Sequence, residues 1–386
     1  MRILILHSRY RSGPASGENR VVEDEARLLS KAGHAVEVFA PLLGRPSGLD
    51  LAAAGIRTIW SRQAVDHVTR LIGSSRPDVI HCHNLFPTLS PAVIRAASNG
   101  GPVIVTLHNY RLQCLPATFF RDSRICEDCL GRPPWPGVLH RCYQDSFAAS
   151  AALASSLVLH TGIGTFKRVS LYLAISEFVR RKHIEGGLSP DQIIVKPHFT
   201  WQAERRQGPG KYFLFLGRLS PEKGVDTVLH AWTQIRAKLL IVGDGPEAAR
   251  LRAIAPSNVE FRGTVEPDEV QALLRHARAL VVPSTWYEGA GKVVLEAYAA
   301  GVPVLASRVG ALPETVEDGV TGLLLPPAGT VAWAQAAERI LEDSESERMG
   351  DAAWQCWKDR FSPDQGLLHI EAAYQRALRL TNRRWG

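Results

Sequence analysis

Long hydrophobic runs are missing from this 386-residue chain. The apolar segment in MRILILHS is short and reads as a strand, and the longest mild stretch, FAASAALASSLVLH (residues 147–160), is too short and too rich in Ala and Ser to cross a bilayer. With neither a leader nor a span in view, a cytoplasmic protein is expected. Cysteine is scarce as well: six in so long a chain do not make a secreted disulfide scaffold. The lysines and arginines are scattered, without the continuous basic face and aromatic platforms of a nucleic-acid binder, so no nucleic-acid partner is expected. What remains is ordinary for a globular protein, with 45% hydrophobic and 22% charged residues and enough chain for two full cores. The net charge of +7 suits polyanionic partners such as nucleotides and phosphorylated substrates, though a plain basic surface explains it equally well.

The order of the segments is informative. Apolar runs such as RILILHS, AVEVFAP, PDVIHCHN and PVIVTLHN alternate with amphipathic ones such as ENRVVEDEARLLSKAG and RQAVDHVTRLIGSS. The pattern breaks over residues 110–146, rich in Cys, Pro and Arg, and then resumes as far as QIIVKPH. The polar, Gly-Pro-Gly-containing TWQAERRQGPGK reads as a linker. After it the same alternation restarts with YFLFLGR. Repeated βα units imply parallel sheets with helices on both faces, hence an α/β protein of two Rossmann-like, doubly wound domains facing across a cleft. The expected division is 1–200 (with the insert 110–146), 201–365, and a terminal helix at 366–386 packing back on the first domain. In such folds ligands sit beyond the carboxyl ends of the strands, so functional residues should follow strands directly.

STWYEGAGKVVLEAYAAGVPV (residues 284–304) carries the strongest chemistry. Glu288 falls in the loop before a helix and Glu296 about one turn inside it. The backbone N–H groups of Gly291, Lys292, Val293 and Val294 start that helix and suit a phosphate. A ribose attached to that phosphate would reach Glu296, whose carboxylate can take two adjacent hydroxyls, and the group beyond the phosphates would reach Glu288. Two anions beside a diphosphate require cations, and the loop GRLSPEKG supplies Arg218 and Lys223. Taken singly, each of these is equally explained as a helix-dipole carboxylate or a surface charge.

FLGRLSPEKGVDTVLHAW, LLIVGDGP, VEFRGTV, the stretch around Glu288 and LPETVEDGVTGLLLPP together resemble, in order and spacing across residues 212–327, the retaining glycosyltransferases of family 4 (glycosyl transferases group 1), which have the GT-B fold. The resemblance implies transfer of a sugar from a nucleotide-diphosphate sugar (UDP-, GDP- or ADP-linked) to a hydroxyl acceptor such as a glycan, a glycolipid precursor or a small metabolite. It implies that Glu296 binds the ribose and Glu288 the sugar hydroxyls, that Arg218 and Lys223 hold the diphosphate, and that Arg262 to Val265 lie near the base. Ala290 and Lys292 stand where this family more often has Phe and an apolar residue, which leaves donor sugar and acceptor open. In the first half, SGPASGENRVVEDEARLLSKAG resembles the family's glycine loop, putting Gly17 at the donor, and VIVTLHNYR resembles the strand bearing its active-site histidine, His108. His83, Tyr110 and Arg111 are candidate acceptor contacts, with a structural role as the alternative for His83, as for His81. No nucleophilic carboxylate stands out, so the resemblance implies front-face displacement with retention, needing no cofactor and no catalytic metal. A sugar-nucleotide epimerase and a non-catalytic nucleotide-binding protein are the rival readings.

Within the insert, Cys114, Cys126, Cys129 and Cys142 match the count of a structural zinc site, with reduced thiols or disulfides as the alternatives. The basic clusters FVRRKH and LRLTNRRWG offer weak peripheral contact with anionic lipid, or are solvated faces.

Overall fold

Short apolar runs flanked by Gly, Pro or Asn become strands, and in the computed structural model they form two parallel sheets. Residues 1–9, 17–42 and 50–385 are described, with the backbone alone for 50–52 and 382–385. The chain divides into two compact units: Met1–Phe119 with Glu127–Pro197 and Leu367–Gly386, and Phe120–Cys126 with His198–Gly366.

The first unit holds β1 (Arg2–Leu6), β2 (Ala35–Phe39), β3 (Val79–Cys82) and β4 (Val103–Leu107). After the small antiparallel hairpin β5 (Phe120–Arg121) and β6 (Arg124–Ile125), which falls in the second unit, come β7 (Leu171–Ala174) and β8 (Ile193–Val195). The sheet order is β2-β1-β3-β4-β7-β8, all parallel. Strands β3, β4 and β7 are buried from end to end, which is why they read as unbroken apolar runs, whereas the edge strand β2 is half exposed. The terminal helix Pro363–Trp385 seals this sheet. Its Ile370, Ala373, Tyr374 and Ala377 are fully buried against Ile3, Ile5, Val79, Ile104 and Leu171.

The second unit holds β9 (Tyr212–Leu216), β10 (Leu239–Val242), β11 (Val259–Gly263), β12 (Ala277–Val282), β13 (Val304–Ser307) and β14 (Gly322–Leu325). Their order is β11-β10-β9-β12-β13-β14, again parallel. The chain winds outward from β9 to one edge, returns, and winds to the other, so the switch point lies between β9 and β12. Binding crevices of doubly wound sheets open at that point. In the first unit the corresponding point lies between β1 and β3.

One stretch differs from the sequence-based expectation. Residues 200–211, expected as a linker, are built into the second unit. Thr200 donates its N–H to the Phe361 carbonyl, and the buried guanidinium of Arg206 bonds the Pro209 and Arg278 carbonyls and Ser346 Oγ. The Gly-Pro-Gly is therefore a bend pinned by Arg206 and not a loose tether. The helix Asp343–Arg360 is rich in charge and still buries Met349, Ala353 and Trp357.

Candidate functional site

In the second unit the loops after β9, β10, β12 and β13 meet at the carboxyl end of the sheet. The loop after β9 carries Arg218 and Lys223, and the loop after β12 carries Ser284 to Gly291. Backbone bonds stitch the loops together: Thr285 N–H to the Glu222 carbonyl, Leu219 N–H to the Asp244 carbonyl, and Ala311 N–H to the Glu288 carbonyl. Two glycines permit this closeness. Gly224 has φ 62°, and a Cβ there would lie 2.1 Å from the Pro283 carbonyl oxygen. Gly310 has φ 60°, and a Cβ there would lie 2.6 Å from both the backbone N and O of Glu288.

Glu288 is only 7% exposed. Its Oε1 accepts from Lys223 Nζ at 2.7 Å and from Ser284 Oγ at 2.6 Å. Burial alone would raise its pKa, but the Lys223 charge, with the Lys223 and Ser284 hydrogen bonds, outweighs it and holds the carboxyl below the ordinary value. Lys223 also lies 5.0 Å over the Trp286 ring. A carboxylate and an ammonium are thus fixed side by side at the switch point, with Arg218 exposed on the same loop. Ser284 is a member of this group that sequence reasoning missed; a hydroxyl four residues before a loop carboxylate is the signal that could have found it.

The helix Lys292–Ala299 starts just after this loop. Gly291 occupies its N-cap position at φ 58°, and no side chain caps the start. Glu296 is half-buried on this helix, one turn in, while Val294, Leu295, Ala297 and Tyr298 face the core. Arg262 and Val265 lie on and just after β11, two strands from β9. The Arg262 guanidinium is paired with Glu260, which Lys238 also holds, and Val265 packs against the core.

In the first unit the switch point holds a cluster of histidines. His108 follows β4, and its Nε2 is 2.8 Å from His83 Nδ1, with the two rings stacked 5.1 Å apart. His83, a candidate acceptor contact, is almost completely buried and lines a cavity with His108, Asn109 and Arg111. Behind it stands Glu25, from the helix Gly17–Lys31, in an ion pair with Lys196; both side chains are 1% exposed. His81 has both ring nitrogens engaged, Nδ1 with the Tyr374 hydroxyl at 2.9 Å and Nε2 with Thr106 Oγ1 at 2.7 Å. Burial, followed by the Lys196 charge, pushes His81 down to about 3. Burial, with the neighbouring histidines and Lys196, also keeps His83 well below its ordinary value, so both rings are neutral. Among the described residues Glu25, His81 and His83 form the one group close enough to hold a metal ion. The Lys196 ammonium already takes one oxygen of that carboxylate and brings a positive charge beside it, and His81 has no nitrogen to spare, so the group does not suit a cation. Sequence reasoning missed both Glu25 and Lys196. The signal was available: Glu25 falls in register with Val21, Val22, Leu28 and Leu29 on the buried stripe of its helix.

Gly17 is the first residue of that helix; residues 10–16 of the polar loop, including Ser16, lie outside the described residues. Tyr110, expected at the acceptor, is 1% exposed and packs its ring on Phe119, Phe178 and His183, so it braces the insert. Arg111 donates to the Leu115 carbonyl and lies 5.0 Å over the Tyr143 ring. No disulfide joins Cys114, Cys126, Cys129 or Cys142, and no three of them bring their sulfurs within 4.8 Å of one another. Burial pushes the Cys114 thiol up to about 11. In FVRRKH, Val179 and His183 point into the core while Lys182 pairs with Glu127 and Glu185. The side chains of residues 382–386, in the second basic cluster, lie outside the described residues. No described helix is long and apolar enough to cross a membrane.

Two strand orders of this kind, each with polar residues at its switch point, define a two-domain Rossmann-like protein of the GT-B fold, and the comparisons agree. Sucrose-phosphate synthase from Thermosynechococcus elongatus superposes with a TM-score of 0.71 at 18% identity, covering 97% of this chain and 99% of that one. HepE of Anabaena in complex with UDP and glucose superposes with a TM-score of 0.63 at 18% identity and the same coverage. Residues 15–200 match Glycosyltransferase Family 4, and residues 210–343 match Glycosyl transferases group 1. The chain belongs to the family 4 (group 1) glycosyltransferases. It is 32% identical over 290 residues to the D-inositol 3-phosphate glycosyltransferase of Acidothermus cellulolyticus, covering 69% of this chain and 60% of that protein. It is 28% identical over 294 residues to a GDP-mannose-dependent alpha-mannosyltransferase of Corynebacterium glutamicum, covering 76% of this chain and 66% of that protein. The matches thus span less than two thirds of either relative.

Proposed function

We propose that this protein is a retaining glycosyltransferase that moves a sugar from a nucleotide-diphosphate donor to a hydroxyl acceptor. The observation that carries the reading is the Lys223–Glu288 pair at the switch point of the second unit, beside a helix start that no side chain caps. In this reading the diphosphate lies against the backbone of Gly291 to Val294, and Arg218 and Lys223 neutralise it. Glu296 takes the ribose hydroxyls. Glu288, kept ionised by Lys223, takes hydroxyls of the sugar. Arg262 and Val265 flank the base. His108 in the first unit accepts a hydrogen bond from a substrate hydroxyl, with Gly17 serving the donor and Arg111 the acceptor.

The chemistry follows from that inventory. The acceptor oxygen bonds to the anomeric carbon on the face from which the diphosphate leaves. The carbon–oxygen bond to the diphosphate breaks, and the departing diphosphate oxygen takes the acceptor's proton. The configuration is retained, and the developing negative charge is met by Arg218, Lys223 and the helix start, so these groups supply what a divalent ion would otherwise supply.

HepE was solved with UDP and glucose, and the Corynebacterium relative is named for GDP-mannose, so UDP-glucose and GDP-mannose are the first donors to try. The test is a mass-spectrometric screen of UDP-, GDP- and ADP-sugars with glycan and polyol acceptors, repeated in EDTA, with the anomer of the first-formed product read by NMR. Retained product, unchanged by EDTA, supports the reading. Epimerised donor, or binding without turnover for every acceptor, overturns it in favour of an epimerase or a non-catalytic binder.

A further inference from the structure

The buried charges of the first unit have a use that packing does not explain. Glu25 is held in a fixed orientation because Lys196 binds its Oε1. Its other oxygen, Oε2, faces His83 Nε2 at 3.7 Å, and neither of these two buried atoms has a hydrogen-bond partner. At that distance a carboxylate does not form a full hydrogen bond, but in a dry interior its charge still discriminates between an N–H and a lone pair. His83 is neutral and carries one proton. With the proton on Nε2, the N–H dipole points at the carboxylate. With the proton on Nδ1, a lone pair faces the negative charge. The first arrangement is favoured, and it leaves His83 Nδ1 as an acceptor. His108 Nε2, 2.8 Å from Nδ1, must then be the donor, and its own proton is fixed on Nε2. The lone pair of His108 is consequently on Nδ1.

We propose that Glu25 and His83 are positioning residues for His108: the buried carboxylate sets the tautomer of His83, and His83 sets that of His108, so that the His108 proton is fixed on Nε2 and the nitrogen left to accept is the buried Nδ1. The inference rests on the glycosyltransfer reading only for what His108 then does; the tautomers themselves need no substrate. The groups around His83 are Glu25 from the first helix, His81 from β3, His7 after β1, His108 after β4 and Lys196 after β8. All are titratable, but Glu25 is the one anion among them.

Glu25→Gln tests the tautomer directly. Lys196 requires an acceptor, so the amide carbonyl turns to it and the NH2 group faces His83 Nε2. His83 must then place its lone pair on Nε2 and its proton on Nδ1, and His108 must exchange in turn. Nitrogen-15 NMR of histidine-labelled protein should find both wild-type protons on Nε2 and both moved to Nδ1 in Glu25→Gln. The variant should lose roughly 100-fold in kcat, the scale of a misoriented catalytic contact, with KM for the donor little changed. Should Glu25→Gln fold poorly, the second arm is His83→Asn against His83→Leu, which are similar in size. The Asn oxygen stands where Nδ1 was and can accept from His108, so Asn should keep most of kcat and Leu should lose it. A wild-type His83 proton on Nδ1, a tautomer exchange that leaves kcat untouched, or equal losses in Asn and Leu would overturn the proposal. Absence of sugar transfer by the wild type, alongside the expected spectra, would count against the proposed function instead.

Discussion

Lys223→Ala removes the ammonium that makes the burial of Glu288 tolerable. The two groups meet at 2.7 Å. Opposite charges about 4 Å apart attract by about 4 kcal/mol at an effective dielectric of roughly 20. Lys223 keeps 24% of its side-chain exposure, so solvent screens part of that attraction. The expected loss is about 3 kcal/mol, the lower end for breaking a buried pair. Glu288→Gln should cost only about 1 kcal/mol, because the amide still fits and Lys223 can turn to water. The double variant should cost little more than Glu288→Gln, for a coupling of about 3 kcal/mol. Thermal unfolding followed through Trp232, Trp286 and Trp333, all in the second unit, reads this as a shift of roughly 6–12 °C for Lys223→Ala. The pH dependence has a definite sign. In the wild type the Glu288 pKa is held below its ordinary value, so this group's contribution is present above the unfolded-state value and is lost as pH falls through the depressed one. In Lys223→Ala burial, the largest influence on this group, is opposed only by the Ser284 and Trp286 hydrogen bonds and raises the pKa, so the variant gains stability as pH falls through the carboxyl range. Single-variant costs that add to within about 0.5 kcal/mol, or parallel pH profiles for the two proteins, would refute the reasoning.

Gly310→Ala should destabilise by about 1–3 kcal/mol and weaken donor binding, since its Cβ would strike the Glu288 backbone from a left-handed position; wild-type melting and donor affinity would remove Gly310 from the site. Glu296→Ala should lower donor affinity by roughly 10- to 100-fold in calorimetry with whichever sugar nucleotide turns over, the worth of hydrogen bonds to a charged group. Tyr374→Phe should cost about 1–3 kcal/mol in urea unfolding, because His81 Nδ1 loses its buried partner; a loss under about 0.3 kcal/mol would mean that the terminal helix is held by its apolar contacts alone.

The sequence by itself determined the repeated βα grammar, because strands buried on both faces must be continuous apolar runs and their helices must carry a single stripe. It also marked Glu288, Glu296, Arg218, Lys223 and His108, since glycines, loop charges and strand ends are local features that survive in a one-dimensional reading. The tertiary structure decided which of these meet. Lys223 and Glu288 are 65 positions apart and become neighbours only because β9 and β12 pair. Glu25 and Lys196, 171 positions apart, are individually ordinary surface residue types. Tyr110 and His83 follow strands, where a ligand contact and a structural role read alike, and only the fold shows both buried. A hydrogen-bond partner or a covering side chain supplied by a distant segment depends on strand order and register, and neither is written in the neighbourhood of the residue concerned.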